Sequence, residues 1–424
     1  MSSSSETEPS QGAQSGADHK ASRWLAFTHA AYRRYWAARF GATFAVQIIS
    51  VSVGWQVYDI TRDPLDLGFV GLAQFLPAFL LVLMTGTVAD RFGRRTVMGL
   101  ALLGEGLMAA ALLGFTLSGS TVVWPVFALL LGFGTARAFF NPAASALVTN
   151  LVPAEHLANA IAWNSSAWQV ASIVGPVAGG LLYGLSPLAS YIVALTMLAG
   201  AAISAFSIPR PAQHTAAGRV TFTSVIDGFR YIWREKVVLG AISLDLFAVL
   251  LGGAVALLPV YARDILELGP WGLGLLRAAP GIGAIMVALW LAAHPLRDHA
   301  GLLMFVFVGL FGAFTIVFGV STIAWMSIAA LVLMGGFDMV SVYVRETLIQ
   351  LWTPDALRGR VNAVNMVFVG ASNELGEFRA GVMAAAIGTV SAVVVGGAGT
   401  MAVAALWAKM FPDLRKARHL DGRV

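Results

Sequence analysis

Long apolar runs alternate with short polar links along nearly the whole chain. Each run is near or above the roughly 20 residues that a helix needs to cross a bilayer. Lipid offers no hydrogen bonds to the backbone, so such runs cross membranes as helices. The pattern predicts an all-α membrane protein with twelve transmembrane helices, at residues 37–58, 67–88, 96–118, 121–147, 157–184, 187–208, 237–260, 271–293, 300–320, 323–350, 361–387 and 390–411.

A polar stretch, 209–236, separates the sixth run from the seventh. Within it, Ile226, Phe229 and Trp233 recur at helical spacing, with charged residues on the opposite side. This spacing predicts an amphipathic helix that lies on the membrane surface. The Ser-rich start of the chain has no apolar core, so we expect a tail rather than a cleaved signal peptide. The predicted units are a disordered tail 1–35, a six-helix bundle 36–208, the linker 209–236, a second bundle 237–411 and a tail 412–424.

The two predicted bundles resemble each other at an offset of 201 residues, which pairs the fifth run with the eleventh. Asn164 then aligns with Asn365, Gly175 with Gly376, and Gly180 with Gly381. Two six-helix halves related by an internal repeat are the architecture of many secondary transporters. The offset therefore predicts two pseudo-symmetric bundles.

The basic residues are distributed unevenly between the links. When both termini are placed in the cytoplasm, nearly all of the 27 Lys and Arg residues fall on that side or within a run, and only Arg62 and Arg263 fall on the other. This asymmetry predicts an inner-membrane protein with both termini cytoplasmic. It also accounts for the pI near 9.7 without a nucleic-acid partner.

The composition excludes several other classes of function. The chain is 58% hydrophobic and only 12% charged, whereas soluble domains are about 25% charged. It has no cysteine, which excludes disulfides and thiol nucleophiles, and its seven histidines are scattered, so we expect no metal and no cofactor. No phosphate-binding loop and no nucleophile–base arrangement is visible, so we expect neither ATP-driven transport nor an enzyme.

The link between the second and third runs, GTVADRFGRRTVM at 86–98, resembles the signature loop of the major facilitator superfamily. In that family the loop holds the two halves together in the outward-facing state, which the resemblance implies here as well. Plain positive charge would explain the arginines but not the acid or the glycines. The residues that carry the resemblance are Gly86, Asp90, Arg91, Gly93, Arg94 and Arg95.

The fifth run carries GPVAGG, 175–180, which resembles the antiporter motif of the same superfamily. We expect Gly175, Pro176, Gly179 and Gly180 to bend this helix and to allow close packing. Ordinary packing of small residues is the alternative. GTARAFFNPAASALV (134–148) and ASNELGEFRAG (371–381) resemble the branch of the superfamily that includes the enterobactin exporter and the macrolide efflux proteins.

Ionisable residues within the runs are the candidates for ion coupling, because charges at membrane depth are costly. Glu374 and Glu377 lie three residues apart on one face of the eleventh run and are the first choice for a proton or cation site. Interhelical ion pairs, such as Arg379 with Asp338 or Arg137 with Glu105, are the alternative. We expect Arg345 and Glu346 only to cap the tenth run. The other coupling candidates are Asp245, Asp338 and Glu105, with Arg137 and Arg379 as charge partners.

Polar and aromatic residues within the runs are candidates for the substrate path, since a large amphipathic ligand suits aromatic walls with few polar groups. Packing or hydrogen bonding between helices is the alternative for each. The candidates are Gln47, Gln56, Gln74, Asn164, Trp168, Gln169 and Asn365.

The sequence therefore predicts a monomeric secondary transporter that exports a small amphipathic molecule in exchange for protons by alternating access, and the resemblance implies a siderophore-like substrate. Its expected partners are membrane lipid, the small-molecule substrate and protons. Multidrug or macrolide efflux, uptake, lipid flipping and a membrane sensor or scaffold remain as alternatives.

Overall fold

Twelve long helices dominate the computed structural model, which describes residues 24–210, 222–294, 296 and 299–416. Eleven stretches of these residues are long and apolar enough to cross a membrane. The remaining long helix, α11, has 33 residues but is interrupted by charge. The helices are α1 (Ala30–Thr61), α2 (Pro64–Phe92), α3 (Arg94–Ser118), α4 (Trp124–Leu147), α5 (Ala154–Leu185), α6 (Pro187–Phe206), α7 (Lys236–Gly252), α8 (Gly269–Ala293), α9 (Ala300–Val320), α10 (Ala324–Trp352), α11 (Asp355–Ile387) and α12 (Thr389–Met410).

Helix α7 is the one whose course differs most from its predicted run. It breaks after Gly252 and continues through short helical turns to a π-helical turn, Tyr261–Ile265. The break follows from the pair Gly252–Gly253, which favours non-helical backbone, and from Pro259, which lacks a backbone donor. The seventh span therefore extends five residues past its predicted end.

The start of the chain corrects one prediction. Residues 24–35 are ordered rather than part of a disordered tail, with a turn at Leu25–Thr28 before α1. The Tyr32 hydroxyl donates to the Ala160 carbonyl, and the Tyr35 hydroxyl donates to the Ala144 carbonyl. These buried bonds anchor the polar start of α1 to neighbouring helices, which hydropathy alone does not reveal. Residues 1–23 lie outside the described residues.

A helix at Phe222–Arg234 lies within the predicted linker, and we call it the linker helix. Its apolar residues Ile226, Phe229 and Trp233 are exposed, which leaves them free to contact lipid. The Tyr231 hydroxyl donates to the Trp352 carbonyl at 2.7 Å and Arg360 pairs with Asp227 at 3.0 Å. These bonds fix the linker helix to the ends of α10 and α11.

The helices pack in two similar sets. In the first, α1 contacts α5 and α6, and α3 contacts α4 and α6; in the second, α7 contacts α11 and α12, and α9 contacts α10 and α12. The two sets meet where α5 crosses α8 and where α2 crosses α11. We call the end of the bundle that holds residues 24 and 416 the terminal end, and the opposite end the far end.

Both crossings lie toward the far end and depend on glycine. A Cβ on Gly180 would meet the Pro270 carbonyl and would lie 3.1 Å from Gly274, both in α8. A Cβ on Gly381 would lie 2.8 Å from the Pro64 carbonyl and 2.9 Å from Gly68, both in α2. The backbones touch directly, so only glycine allows these helices to approach so closely.

Candidate functional site

The loop between α2 and α3 is held within the first set of helices. Arg94 pairs with Asp90 at 3.1 Å and donates to the Ala146 carbonyl and to Asn150, each at 2.8 Å. Arg95 donates to the Phe206 carbonyl. Gly93 takes a φ of 93°, which favours glycine. These contacts join α2, α3, α4 and α6, and none of them reaches the second set.

The small residues of α5 serve close packing. The helix runs without interruption through Pro176 from Ala154 to Leu185. A Cβ on Gly175 would lie 2.6 Å from the Gln47 side chain, and one on Gly179 would lie 3.0 Å from the Ile48 backbone, both in α1. The described contacts therefore fit the packing alternative, because the glycines bring α5 onto α1 and α8.

Glu374 and Glu377 face α2 at the contact between the two sets of helices. A Cβ on Gly71 would lie 3.3 Å from Glu377 Oε2 and 3.5 Å from Glu374 Oε2, so glycine leaves the room that the two carboxylates occupy. Both side chains line a cavity of about 110 Å³, together with Gln74 of α2 and Arg277 of α8. The acid pair therefore lies where the two halves meet.

A second cavity of about 400 Å³ adjoins the first. The two share Ser50, Gln74, Arg277 and Glu374 as lining residues. The second extends toward the terminal end and is also lined by Gln47, Phe75, Arg137 and Asn141, among others. Its mixture of apolar walls and a few polar groups suits a small organic ligand.

Arg277 is the residue of this site that the sequence reasoning missed. It lines both cavities and lies within electrostatic range of Glu377 and Glu374. A matching spacing in α2 and α8 could have found it: Arg277 follows Gly274 by three residues, as Gly71 follows Gly68. Since residues three apart share one face of a helix, Arg277 and Gly71 each lie on the face of their helix that meets the other set, and both line the smaller cavity.

Arg137 lies between two acids. It lines the larger cavity within range of Glu374, and it is also within range of Glu105 in α3. Glu105 is fully buried, and neither carboxylate oxygen has a hydrogen-bond partner. No ion pair within 4 Å joins Arg137 to Glu105 in the described part of the chain. The predicted pair is therefore an electrostatic neighbour rather than a contact.

The other candidate acids lie away from these cavities. Asp245 forms a buried ion pair with Arg345, and Arg345 also lies 3.7 Å from Glu346. Glu346 in turn accepts a hydrogen bond from Asn365 at 2.9 Å. The expectation that Arg345 and Glu346 only cap α10 is therefore wrong, because the cluster joins α7, α10 and α11. In this cluster Asp245 has an ion-pair partner and Asn365 has a hydrogen-bond partner.

Arg379 and Asp338 do not form their predicted pair among the described residues. Arg379 donates to the Leu251 carbonyl at 2.5 Å and contacts the Met383 sulfur at 2.9 Å. The Leu251 carbonyl belongs to the last turn of α7 before its break, where helix carbonyls lack partners within the helix. Asp338 is half-buried in α10 and lines neither central cavity.

Two of the proposed substrate-path residues, Gln47 and Gln74, line the cavities, and the others do not. Asn164 accepts a hydrogen bond from the Tyr32 hydroxyl at 3.2 Å. Gln56 accepts one from the Tyr191 hydroxyl at 2.6 Å. These bonds fit the packing alternative. Trp168 is 55% exposed, and neither Trp168 nor Gln169 lines these cavities. No group of three or more possible metal ligands occurs among the described residues.

Comparison with known proteins agrees with this architecture. The chain is 26% identical over 414 residues to the enterobactin exporter EntS of Escherichia coli O1:K1, covering 94% of this chain and 95% of that protein. The same exporter from Shigella boydii serotype 18 is 26% identical over 412 residues, with the same coverage.

Solved transporters share the fold at lower identity. A bacterial homologue of the lysosomal transporter Spinster, in an inward-facing and occupied conformation, superposes with a TM-score of 0.69 at 14% identity, over 92% of this chain and 96% of that one. A POT family transporter bound to 5-aminolevulinic acid gives 0.71 at 10% identity, over 91% and 97%. A family model described as transmembrane secretion effectors matches residues 21–421. The chain therefore belongs to this family of the major facilitator superfamily.

Proposed function

We propose that the protein exports a small amphipathic molecule of the siderophore type from the cytoplasm in exchange for protons, with Glu374 and Glu377 as the proton site. The observation that carries this proposal is the acid pair itself, which lines the cavity between the two halves beside Arg277. A carboxylate at this position loses its negative charge when it binds a proton. This change of charge would occur at the interface that must open and close during alternating access. The similarity to enterobactin exporters supports the siderophore class.

Alternating access is supported by the difference between the two ends of the molecule. Direct backbone contacts close the far end at Gly180 and Gly381, while the larger cavity extends toward the terminal end. We infer that the terminal end faces the cytoplasm, as the basic residues indicate, and that this conformation is inward-facing. We further propose that a single chain of two bundles, 36–208 and 237–411, is the working unit in the inner membrane.

The coupling is tested in inside-out vesicles with an acid interior, using enterobactin as the transported probe. Wild-type protein is expected to accumulate enterobactin as protons leave. The double variant Glu374→Gln/Glu377→Gln is expected to lose at least 90% of gradient-driven accumulation, because neither side chain can then change charge. The control is Glu155→Gln, which alters an exposed acid at the start of α5.

Other outcomes identify the alternatives. Full gradient-driven transport by the double variant would contradict the proton site. Transport of erythromycin but not enterobactin would change the substrate class to macrolides. Accumulation driven only by the reversed gradient would indicate uptake, and binding without flux would indicate a sensor.

A further inference from the structure

A third cavity lies at the terminal end of the second set of helices, away from the central site. It has a volume of about 390 Å³. Its lining comes from the end of the linker helix, the start of α7 and the turn that follows α12. We call it the terminal pocket, and it is formed by Trp233, Lys236, Leu239, Met410, Phe411, Pro412, Asp413 and Leu414.

The inner wall of the terminal pocket is firmly packed, whereas its rim is apolar and open. Leu414 is fully buried, and Phe411 and Leu414 pack against Gly240, where a Cβ would lie 2.9 Å and 3.2 Å from them. Trp233 is 66% exposed and Met410 is 57% exposed. Large apolar side chains left open around a cavity indicate a ligand that is itself partly apolar.

The charge around the terminal pocket is strongly positive. The five basic residues that line it or lie within two residues of its lining are exposed, and none of their side chains has an ion pair or hydrogen bond among the described residues. The acids nearby are Glu235 and Asp413. Unpaired cations of this density favour an anionic group. The basic residues are Arg234, Lys236, Lys409, Arg415 and Lys416.

We propose that the terminal pocket binds an anionic phospholipid, with the phosphate at Lys236 and the acyl chains along Trp233 and Met410. Basic pockets beside transmembrane helices on the cytoplasmic side suit such headgroups, because that leaflet is negatively charged. The rim is continuous with Phe229 and Ile226, the exposed apolar residues of the linker helix. A free phosphate compound would leave this apolar rim uncovered, whereas a lipid covers it.

Lipid in the terminal pocket would connect the linker helix to the ends of α7 and α12. The linker helix is already fixed to α11, because Asp227 pairs with Arg360 and a Cβ on Gly228 would lie 2.8 Å from the Arg360 carbonyl. Helix α11 carries Glu374 and Glu377. The bound lipid would therefore stabilise the contact between the linker helix and α11, the helix that bears the proposed proton site.

The test is native mass spectrometry of the purified full-length chain with phosphatidylglycerol, and with phosphatidylcholine as the neutral lipid. Wild-type protein is expected to retain one phosphatidylglycerol under activation that removes phosphatidylcholine. Basic residues near an anionic surface attract anionic headgroups, so Lys236→Gln/Lys409→Gln is expected to weaken phosphatidylglycerol binding about tenfold or more. Arg33→Gln/Arg210→Gln removes two charges from the same end of the first set of helices and is expected to leave binding unchanged.

Two further results separate the possible sources of the phosphate. Trp233→Ser is expected to weaken phosphatidylglycerol binding, and glycerol 3-phosphate in large excess is not expected to displace the lipid. Displacement by glycerol 3-phosphate, with Trp233→Ser binding normally, would identify a site for a soluble phosphate and overturn the proposal. Equal retention of the two lipids, or equal loss in the Lys236/Lys409 and Arg33/Arg210 variants, would also overturn it.

Discussion

Helices α5 and α11 hold matching places in the two halves, and each crosses into the other half through a glycine. Gly180 of α5 meets Gly274 of α8, and Gly381 of α11 meets Gly68 of α2. These two glycines are separated by the same 201 residues that align the two bundles in the sequence. The repeat therefore preserves the contacts that close the far end.

The chemistry of the two helices is different. Helix α11 carries Glu374, Glu377 and Arg379, whereas the aligned positions of α5 carry apolar residues, namely Ile173, Pro176 and Ala178. The repeat thus keeps the packing and changes the polar groups. Closure of the far end is shared by both halves, whereas the acid pair belongs to one.

The largest expected effect comes from blocking one crossing. Gly381→Leu would place a side chain into the Pro64 carbonyl and the Gly68 backbone, neither of which can move without displacing α2. We expect the far end to stay open and transport to fall by at least 90%. Distances between spin labels at the far end, measured by electron paramagnetic resonance, report this opening directly. The chain has no native cysteine to interfere with labelling.

Gly180→Leu tests the equivalent crossing, that of α5 with α8. Because the repeat aligns Gly180 with Gly381, we expect this variant to keep the far end open as well. Gly184→Leu, one turn later on α5, is the control, since a Cβ there meets nothing within 4 Å. A far end that closes normally in Gly381→Leu would show that the crossing does not control access.

Much of this architecture follows from the sequence because it depends on local pattern. The predicted runs overlap all twelve long helices of the described residues, although charge interrupts the one in α11. The spacing of Phe229 and Trp233 locates the linker helix. The ordered start of α1 is not apolar, and it depends on bonds from Tyr32 and Tyr35 to distant carbonyls. Such tertiary contacts leave no periodic signal.

The site was only partly predictable for the same reason. Glu374 and Glu377 stand out because charge within an apolar run is rare. Arg277 stands out equally, but only the packing of the two sets of helices places it in the same cavity as the acids. The pairing of Asp245 with Arg345 depends on how α7 and α10 align, which the sequence does not record.

A smaller effect than blocking a crossing is expected from Arg379, the arginine that α11 carries where α5 has Ala178. Arg379 donates to the free Leu251 carbonyl beside the break in α7. Arg379→Leu is expected to destabilise the protein by about 1.5–3 kcal/mol, the usual range for a hydrogen bond to a charged group. Thermal unfolding in detergent measures the loss. Arg358→Leu changes an arginine at the start of the same helix whose side chain is 39% exposed, and it is expected to lose less than about 1 kcal/mol. Equal losses would contradict the role given to Arg379.

A smaller difference is expected where the repeat aligns Gly179 with Ala380. A Cβ on Gly179 would lie 3.0 Å from the Ile48 Cα. We therefore expect α5 to lie closer to α1 than α11, which has a Cβ at the aligned Ala380, lies to its own neighbour. Gly179→Ala is expected to destabilise by about 1 kcal/mol despite the better helix propensity of alanine. Ala380→Gly is expected to cost a similar amount through backbone entropy. Stabilisation by Gly179→Ala would show that the two approaches are equally close.

The smallest effect is expected from the charges at the far end, where the end of α1 meets the π-helical turn Tyr261–Ile265 that follows α7. Arg62 lies 3.0 Å from Asp264, and Arg263 pairs with Asp59. Arg62 is 51% exposed and Asp264 is 38% exposed, so their pair contributes less than about 1 kcal/mol.

The double variant Arg62→Gln/Arg263→Gln is therefore expected to leave the unfolding temperature nearly unchanged. It is nevertheless expected to raise access to the cavity from the far end several-fold, because about 1 kcal/mol shifts a two-state equilibrium by that much. Labelling of Ser50→Cys, which lies in both central cavities, by an impermeant maleimide reports this access. Salt at 1 M, where screening acts over about 3 Å, should increase labelling of the otherwise wild-type protein and have little effect on the double variant. Salt-insensitive labelling in both would mean that the glycine crossings alone keep the far end closed.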